Sequence, residues 1–496
     1  MSRFVRGAAL GAMVLLCSAH VGSPDAWYEG PAGPYTVLVH VEAPPVIPGI
    51  AVVNVRPKLP GISRISAYVN RFDAVGSPPP PDVAVPLSGR PGWYRTRLWV
   101  MTSGSNSVTV VLEGARGRGA VVVPLAAVAA RRLAFSPLLA GLLLALGLTL
   151  AAGLFTIVGA AVREGVLPPG VEPDAARRRR ARVAMARAMA GVALGLAGWM
   201  IWWRADDRRF VGRLFRPLAV RASLDTTARP ARLILTVTDS IWVHRQDGAW
   251  LRARRLPEPS ELIEDHGKLM HLFLITAGGG PAFAHLHPAS ADQVSFDATL
   301  PRLPAGRYAV FADVVHASGF TETLTTTIEL PLELSSAAAS TAGDSDDSWS
   351  LSAPAVENRA DLEDGATLAW LRPAQPLVAG EEADLRFALG TRSGLPAPAE
   401  LYLGMAGHAA VVRSDDSVFI HLHPLGTISL AAQARLLRGA PGSPAASMSH
   451  PQPGDTLYFP YAFPKPGRYT VWVQLKRGGR ILTGAFPALV LPASAR

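Results

Sequence analysis

Cysteine is nearly absent from this chain. Its 496 residues include one, Cys17, and that one lies in the N-terminal apolar run. Disulfides are excluded as staples of the fold, and so are thiolate metal sites. Any bound metal must rely on His, Met, carboxylate or backbone donors. Charge is scarce too: 17% of residues are charged against 49% hydrophobic, with a mean hydropathy of +0.22. That is too apolar for an ordinary soluble protein and too polar for a polytopic transporter. The sequence has no Gly-x-Ser-x-Gly elbow and no Gly-rich loop opening a helix; Gly278-Gly279-Gly280 reads as a turn between strands. Nucleophilic and phosphate-binding chemistry of those kinds is excluded, and the expectation is a protein that is not an enzyme.

The charge that is present is unevenly placed. Net charge is +10, which invites a nucleic-acid reading. Yet Arg163, Arg177–Arg180, Arg182 and Arg187 lie between two apolar stretches, and Arg204, Arg208, Arg209, Arg213, Arg216 and Arg221 follow the second. Such clusters flank membrane spans. The partner they predict is a membrane, and no nucleic acid is expected.

Residues 1–19 read as a signal peptide. Arg3 and Arg6 precede the apolar run Ala8–Leu16, and Cys17-Ser18-Ala19 supplies small residues before His20. Lipidation of Cys17 is the alternative, with the bulky Leu16 against it. Phe135–Val162 is about 28 residues without a charge, and Ala188–Trp203 about 16, ending in Trp199, Trp202 and Trp203. Both read as transmembrane helices, with residues 163–187 as a basic cytoplasmic loop. Both flanks then face the outside or periplasm from a bacterial inner membrane.

The rest predicts a mainly β fold: three Ig-like antiparallel β-sandwich domains at 20–132, 205–335 and 359–496, beside the two transmembrane helices. Short apolar runs separated by Gly and Pro turns carry this reading. Tyr94–Met101 and Ser107–Glu113 look like one hairpin. Residues 336–358, rich in Ser, Ala, Asp and Gly, read as a flexible linker, which leaves 359–496 to fold alone.

Within the two later segments a motif recurs. His285-Leu286-His287-Pro288 and His421-Leu422-His423-Pro424 each follow an aromatic–apolar pair. Each has a histidine upstream, His271 or His408, and a Gly-Arg-Tyr strand downstream at Gly306 or Gly467. Residues i and i+2 of a strand share a face, so each motif presents two imidazoles to one ligand. The first set comprises His266, His271, His285 and His287, with Asp313, His316 and Glu322 from later strands. The second comprises Met405, His408, His421 and His423, with Met448 and His450 on a loop. Gln474 stands where the first repeat has Asp313. Cleavage after Ala19 would also free the amine of His20, with His40 as a further donor. Imidazole and thioether donors without cysteine suit copper in an oxidising compartment. The competing reading is that the imidazoles only brace the turns at Pro288 and Pro424.

The stretch from His271-Leu272-Phe273-Leu274 through Phe283–Pro288 to Arg307-Tyr308 and Phe311-Ala312-Asp313 resembles the Ig-like or cupredoxin-like periplasmic domains of bacterial copper-associated membrane proteins. The segment after Ala19-His20 is loosely similar to YtkA-like domains. The resemblance implies extracytoplasmic copper handling, with other metal-handling or membrane proteins as partners. A blue-copper electron-transfer role is excluded by the missing cysteine. The alternative function is a non-metal Ig-like interaction module at the membrane surface.

Overall fold

The computed structural model describes residues 20–21, 25–74, 76–133, 135–168, 170–256, 258–332, 343–351, 354–373, 375–438 and 453–493. The signal segment, Met448 and His450 lie outside the described residues. The fold is mainly β, with several antiparallel sheets and two long apolar helices.

Three pairs of sheets each enclose a core. The first pair joins the sheet of Ala26–Ala32, Tyr35–Glu42, Gly49–Pro57 and Tyr94–Val100 to that of Ile62–Arg71, Gly104–Gly114 and Gly117–Ala127. Val37, Val39, Val53, Val55, Val108, Val110 and Leu112 fill the space between. The expected hairpin is corrected here. Tyr94–Val100 pairs with Gly49–Pro57, whereas Gly104–Gly114 pairs with Ile62–Arg71 and Gly117–Ala127. Both strands are apolar on one face, and those faces meet across the core rather than edge to edge. The chain crosses between the sheets at Gly104, whose φ of 111° suits glycine.

The second and third pairs carry the repeat. In one, His271–Thr276 lies between Gly306–His316 and Phe283–Leu286. In the other, His408–Arg413 lies between Gly467–Arg477 and Val418–Leu422. The registers correspond: Phe273 faces His285 and Ala410 faces His421, while His271 faces Asp313 and His408 faces Gln474. Both Gly-Arg-Tyr motifs have one cause. Gly306 and Gly467 open their strands at φ 141° and 139°, and Tyr308 and Tyr469 donate to the carbonyls of Pro304 and Lys465 at 2.9 and 2.7 Å. Ser348–Ser350, inside the segment expected to be linker, is a strand on the edge of Phe283–Leu286.

These central strands are buried on both faces. Leu272 and Leu274 point into the core of their own sheet pair, as Ala409 and Val411 do in theirs. Phe273, Ile275, Phe283 and Phe311 point the other way and meet Ala410, Val412, Phe419 and Trp472. Phe311 stacks on Phe419 at 4.2 Å, and Phe283 on Trp472 at 4.9 Å. The N-terminal sheets join the same body: Ile428 enters their core, and Gln433 donates to the Val122 carbonyl at 2.8 Å. The β-rich parts before and after the helices, up to Val128 and from Arg216, form one compact unit.

The second unit, Ala129–Phe215, holds the helices α1 (Pro137–Glu164) and α2 (Ala175–Gly212). Ser136 and Asp174 cap their N-termini, accepting from Leu139 and Arg177, and Pro137 opens α1 where no N–H is needed. Each contains an 18-residue window apolar enough to cross a membrane, with mean hydropathies of 2.3 and 1.5. The run Arg177–Arg180 lies in the first turns of α2, not in a loop. Alanine and arginine are strong helix formers, so the helix extends past its apolar stretch at both ends. Gly159 lets the helices approach, since a Cβ there would lie 2.7 Å from the Met185 sulfur.

Candidate metal centre

The face that docks the repeats together ends in histidines. Alternation puts His271 on the side of Phe273, His285 and His287 on that of Phe283, His408 on that of Ala410, and His421 and His423 on that of Phe419. Packing these apolar faces therefore gathers the histidines of both repeats into one cluster. Ring centroids are 5.1 Å apart for His271 and His287, 5.3 Å for His271 and His421, 5.3 Å for His408 and His421, and 4.6 Å for His421 and His423. His266 completes it, 5.9 Å from His408 and 5.1 Å from His423.

The outer nitrogens of the first triad, His271, His285 and His287, are all engaged. His271 Nε2 lies 3.2 Å from the Asp265 carbonyl, which can only accept. His285 Nδ1 lies 2.9 Å from Gln474 Oε1, and the amide of that glutamine reaches Ser348 Oγ at 2.6 Å. His287 Nδ1 lies 3.1 Å from Asp347 Oδ1, which also accepts from the His287 N–H at 2.7 Å. A neutral imidazole has one N–H and one lone pair. With the N–H turned outward in each ring, three lone pairs point inward. His271 Nδ1 and His285 Nε2 are then 3.2 Å apart without a proton between them, and His287 Nε2 is buried with no hydrogen-bond partner. Turning Gln474 over would let His285 donate to His271 and still leave His287 Nε2 alone. Lone pairs converging in this way, braced from behind by carbonyl, amide and carboxylate, are the arrangement of metal-ligating histidines. The three rings offer nitrogens all within 4.8 Å of one another.

The second triad is His266, His408 and His423, with donor atoms again within 4.8 Å. His423 Nδ1 donates to the Ile428 carbonyl at 3.1 Å. His408 is fully buried, and neither of its nitrogens has a hydrogen-bond partner among the described residues. His266 occupies a tight turn at φ 56° followed by Gly267 at 77°; the matching turn of the other repeat has Leu403 at 50° and Gly404 at 78°. His421 stands between the triads, its Nδ1 3.4 Å from Asp313 Oδ2 and its Nε2 without a hydrogen-bond partner among the described residues. The polar residue of each repeat's Gly-Arg-Tyr strand thus serves the other repeat's motif: Gln474 holds His285, and Asp313 faces His421.

Burial pushes His271, His285, His408 and His421 well below the ordinary imidazole value, and the neighbouring histidines add to the effect. These rings stay neutral, as ligands must. Burial also pushes Asp313 up to about 7, with the Asp265 carboxylate adding to the rise and a hydrogen bond from Thr323 opposing it. The 24% of the Asp313 side chain that remains exposed to water tempers that rise.

Other sequence candidates lie elsewhere. His316 sits three residues beyond Asp313, bound to Glu322 at 2.7 Å and the Ser260 carbonyl at 2.9 Å, so it and Glu322 satisfy each other away from the cluster. Met405 packs against Leu425 and Leu430, an apolar setting. The backbone of His20 pairs with Val418 at the edge of the His421 strand. His40 stacks on Trp27 at 4.0 Å beside Asp25 and Glu42. Asp265, Asp347 and Tyr402 were not singled out by the sequence; Tyr402 lies 3.3 Å from His285 Nδ1 while donating to the Asp346 carbonyl at 3.0 Å. Asp347 lies in the segment read as linker, where nothing but its acidity marked it.

A family profile described as a domain of unknown function (DUF8832) matches residues 360–491. No curated protein matches the chain. Solved structures similar to it include dimeric latent PorU from Porphyromonas gingivalis, at 8% identity and a TM-score of 0.14, with 95% of this chain and 34% of that one covered. A structure from Corynebacterium diphtheriae described as that of a membrane anchored protein is 9% identical at a TM-score of 0.13, covering 95% of this chain and 97% of the other. An endo-fucoidan hydrolase of glycoside hydrolase family 107 matches at 9% identity and 0.13, covering 91% and 43%. The chain thus spans about a third of the length of PorU. Likenesses this faint carry no argument about what the chain does.

Proposed function

We propose that this is a membrane-anchored protein that binds or buffers a transition metal, copper by the character of its donors, outside the cytoplasm. One observation carries the reading: three buried imidazoles, each braced from behind, bring ring nitrogens within 4.8 Å of one another. His287 Nε2 is buried without a hydrogen-bond partner among the described residues, which is costly, and a cation there satisfies it and can take His271 and His285 as further ligands. Donors that are all imidazole suit copper, zinc and nickel; an exported chain whose one cysteine lies in the signal-like N-terminus favours copper among them. The role is holding metal rather than catalysis, since the cluster lies buried between two packed faces. The membrane placement rests on the two apolar helices together with the signal-like N-terminus. One compact unit draws on the chain both before and after the helices, so an even number of crossings returns it to the same side.

The test is metal content. The full chain, purified in detergent and exposed to cuprous ion, retains copper through gel filtration, and the His285→Ala, His287→Ala variant retains less. Equal copper in both, with the variant folded, would leave the histidines as turn braces and bring the interaction-module reading forward.

A further inference from the structure

The cluster has more donors than one ion uses. A single ion on His271, His285 and His287 leaves His408, fully buried, with two nitrogens that have no partner among the described residues. It also leaves unexplained why a histidine occupies the turn at position 266. In the corresponding turn Leu403 adopts the same left-handed conformation, so the backbone does not require histidine there. His266 is nonetheless turned inward, its side chain only 6% exposed, toward two histidines of the other repeat.

Resting on the metal-binding reading above, we propose that the cluster is a two-ion centre. One ion is held within the first repeat by His271, His285 and His287. The second is held across the repeats by His266 from the first and His408 and His423 from the second. Asp265 joins the two. Its backbone carbonyl holds His271 of the first triad, and its carboxylate lies 3.6 Å from His266 Nε2 of the second. That carboxylate also accepts from Ala431 N at 3.1 Å, at the start of the helix Leu430–Arg438, so it is fixed in place before any ion arrives. Carboxylates lie beside both positions: Asp347 behind His287 and Asp265 beside His266. Buried cations need such partners.

The two positions differ in what they demand of the fold. The first draws all three ligands from one repeat and takes from the other only the Gln474 brace. The second exists only when the repeats are docked, because its ligands come from both. The second ion therefore ties the repeats together, and its binding energy adds to the docking energy of the Phe311–Phe419 and Phe283–Trp472 stacks.

The experiment is a stoichiometry on the full chain in detergent. Cuprous ion is supplied as its acetonitrile complex, excess is removed by gel filtration, and copper per chain is read by mass spectrometry of the metal. The expected value is two for the native chain, one for His266→Leu, one for His287→Gln and none for the pair combined. His266→Leu copies the residue that the other repeat carries in the same turn, which protects the backbone. If it loses native circular dichroism, His423→Gln replaces it as the probe of the second ion. Native chain binding one ion, abolished by His287→Gln and untouched by His266→Leu, would overturn the two-ion centre and leave the metal-binding reading intact. Native chain binding none would remove both.

Discussion

The imidazoles show how far a short motif can be read. A spacing of two along a strand put both histidines of each motif on one face, and the structure places them there because strand alternation is a local property. Their partners are not local. Asp347 lies 60 residues from His287, and Gln474 lies 189 from His285. Nothing near the motif in sequence marks either, so the braces that set each tautomer were illegible. The equivalence of Asp313 and Gln474 was legible from the repeat, but not that each would serve the opposite motif.

Neutral buried histidines make stability depend on pH. The folded-state values of His271, His285, His408 and His421 are depressed, so below about 6.5 the unfolded chain binds protons that the folded chain cannot. Their contribution is complete above that pH and is lost as pH falls, by up to about 1.4 kcal/mol per pH unit for each ring. Asp313 acts in the opposite direction. Its value is raised to about 7, so the proton it holds stabilises the fold in acid and that help fades as pH rises toward neutrality. Four groups outweigh one. Thermal unfolding of the metal-free protein should shift to lower temperature between pH 7 and pH 5; a flat profile would mean that the rings are not buried as described. A simpler test concerns Tyr469→Phe, which removes the hydrogen bond to the Lys465 carbonyl. It should cost about 1 kcal/mol of stability and leave copper binding unchanged in the same preparation.

Strands and helices were legible in kind and less so in pairing. Runs such as His271–Thr276 announced strands, but being apolar on both faces they did not say which face met what. That second face is the docking surface between the repeats. The false hairpin at Thr102–Asn106 has the same origin: adjacency in sequence suggested pairing, and two apolar faces across a core prevailed. In α2 the apolar stretch was found, but the helix runs well beyond it because charge does not stop a helix of Ala and Arg. The docking face yields a prediction. Trp472→Ala removes a fully buried ring that stacks on Phe283. It should destabilise by about 3–5 kcal/mol and weaken metal retention, although Trp472 is not a ligand. Calorimetric unfolding and copper content of the same variant check the two effects together.

Taken as one molecule, the chain builds a single body from the segments on either side of a helical hairpin. Domain independence was the least legible property, since linker-like composition in residues 336–358 hid an edge strand and the acidic brace beside it. The segment 359–496 alone would expose Val412, Phe419 and Trp472 to water. It should self-associate or remain partly unfolded, read by sedimentation and circular dichroism; a stable monomer would show that the docking face is dispensable. On the proposed topology, reporter fusions after residue 170 should behave as cytoplasmic and those after 130 and 340 as exported.

The convergence of both repeats' histidines on bound metal is tested most directly by X-ray absorption at the copper edge of the loaded full chain. The expected first shell is nitrogen alone at about 2.0 Å, with the outer-shell scattering of imidazole rings. Replacing His271, His285 and His287 together should halve the bound copper and leave imidazole scattering from the rest, and replacing His266, His408 and His423 as well should abolish it. A shell containing sulfur, or one of oxygen without imidazole scattering, would contradict it, because neither donor set is what the cluster offers.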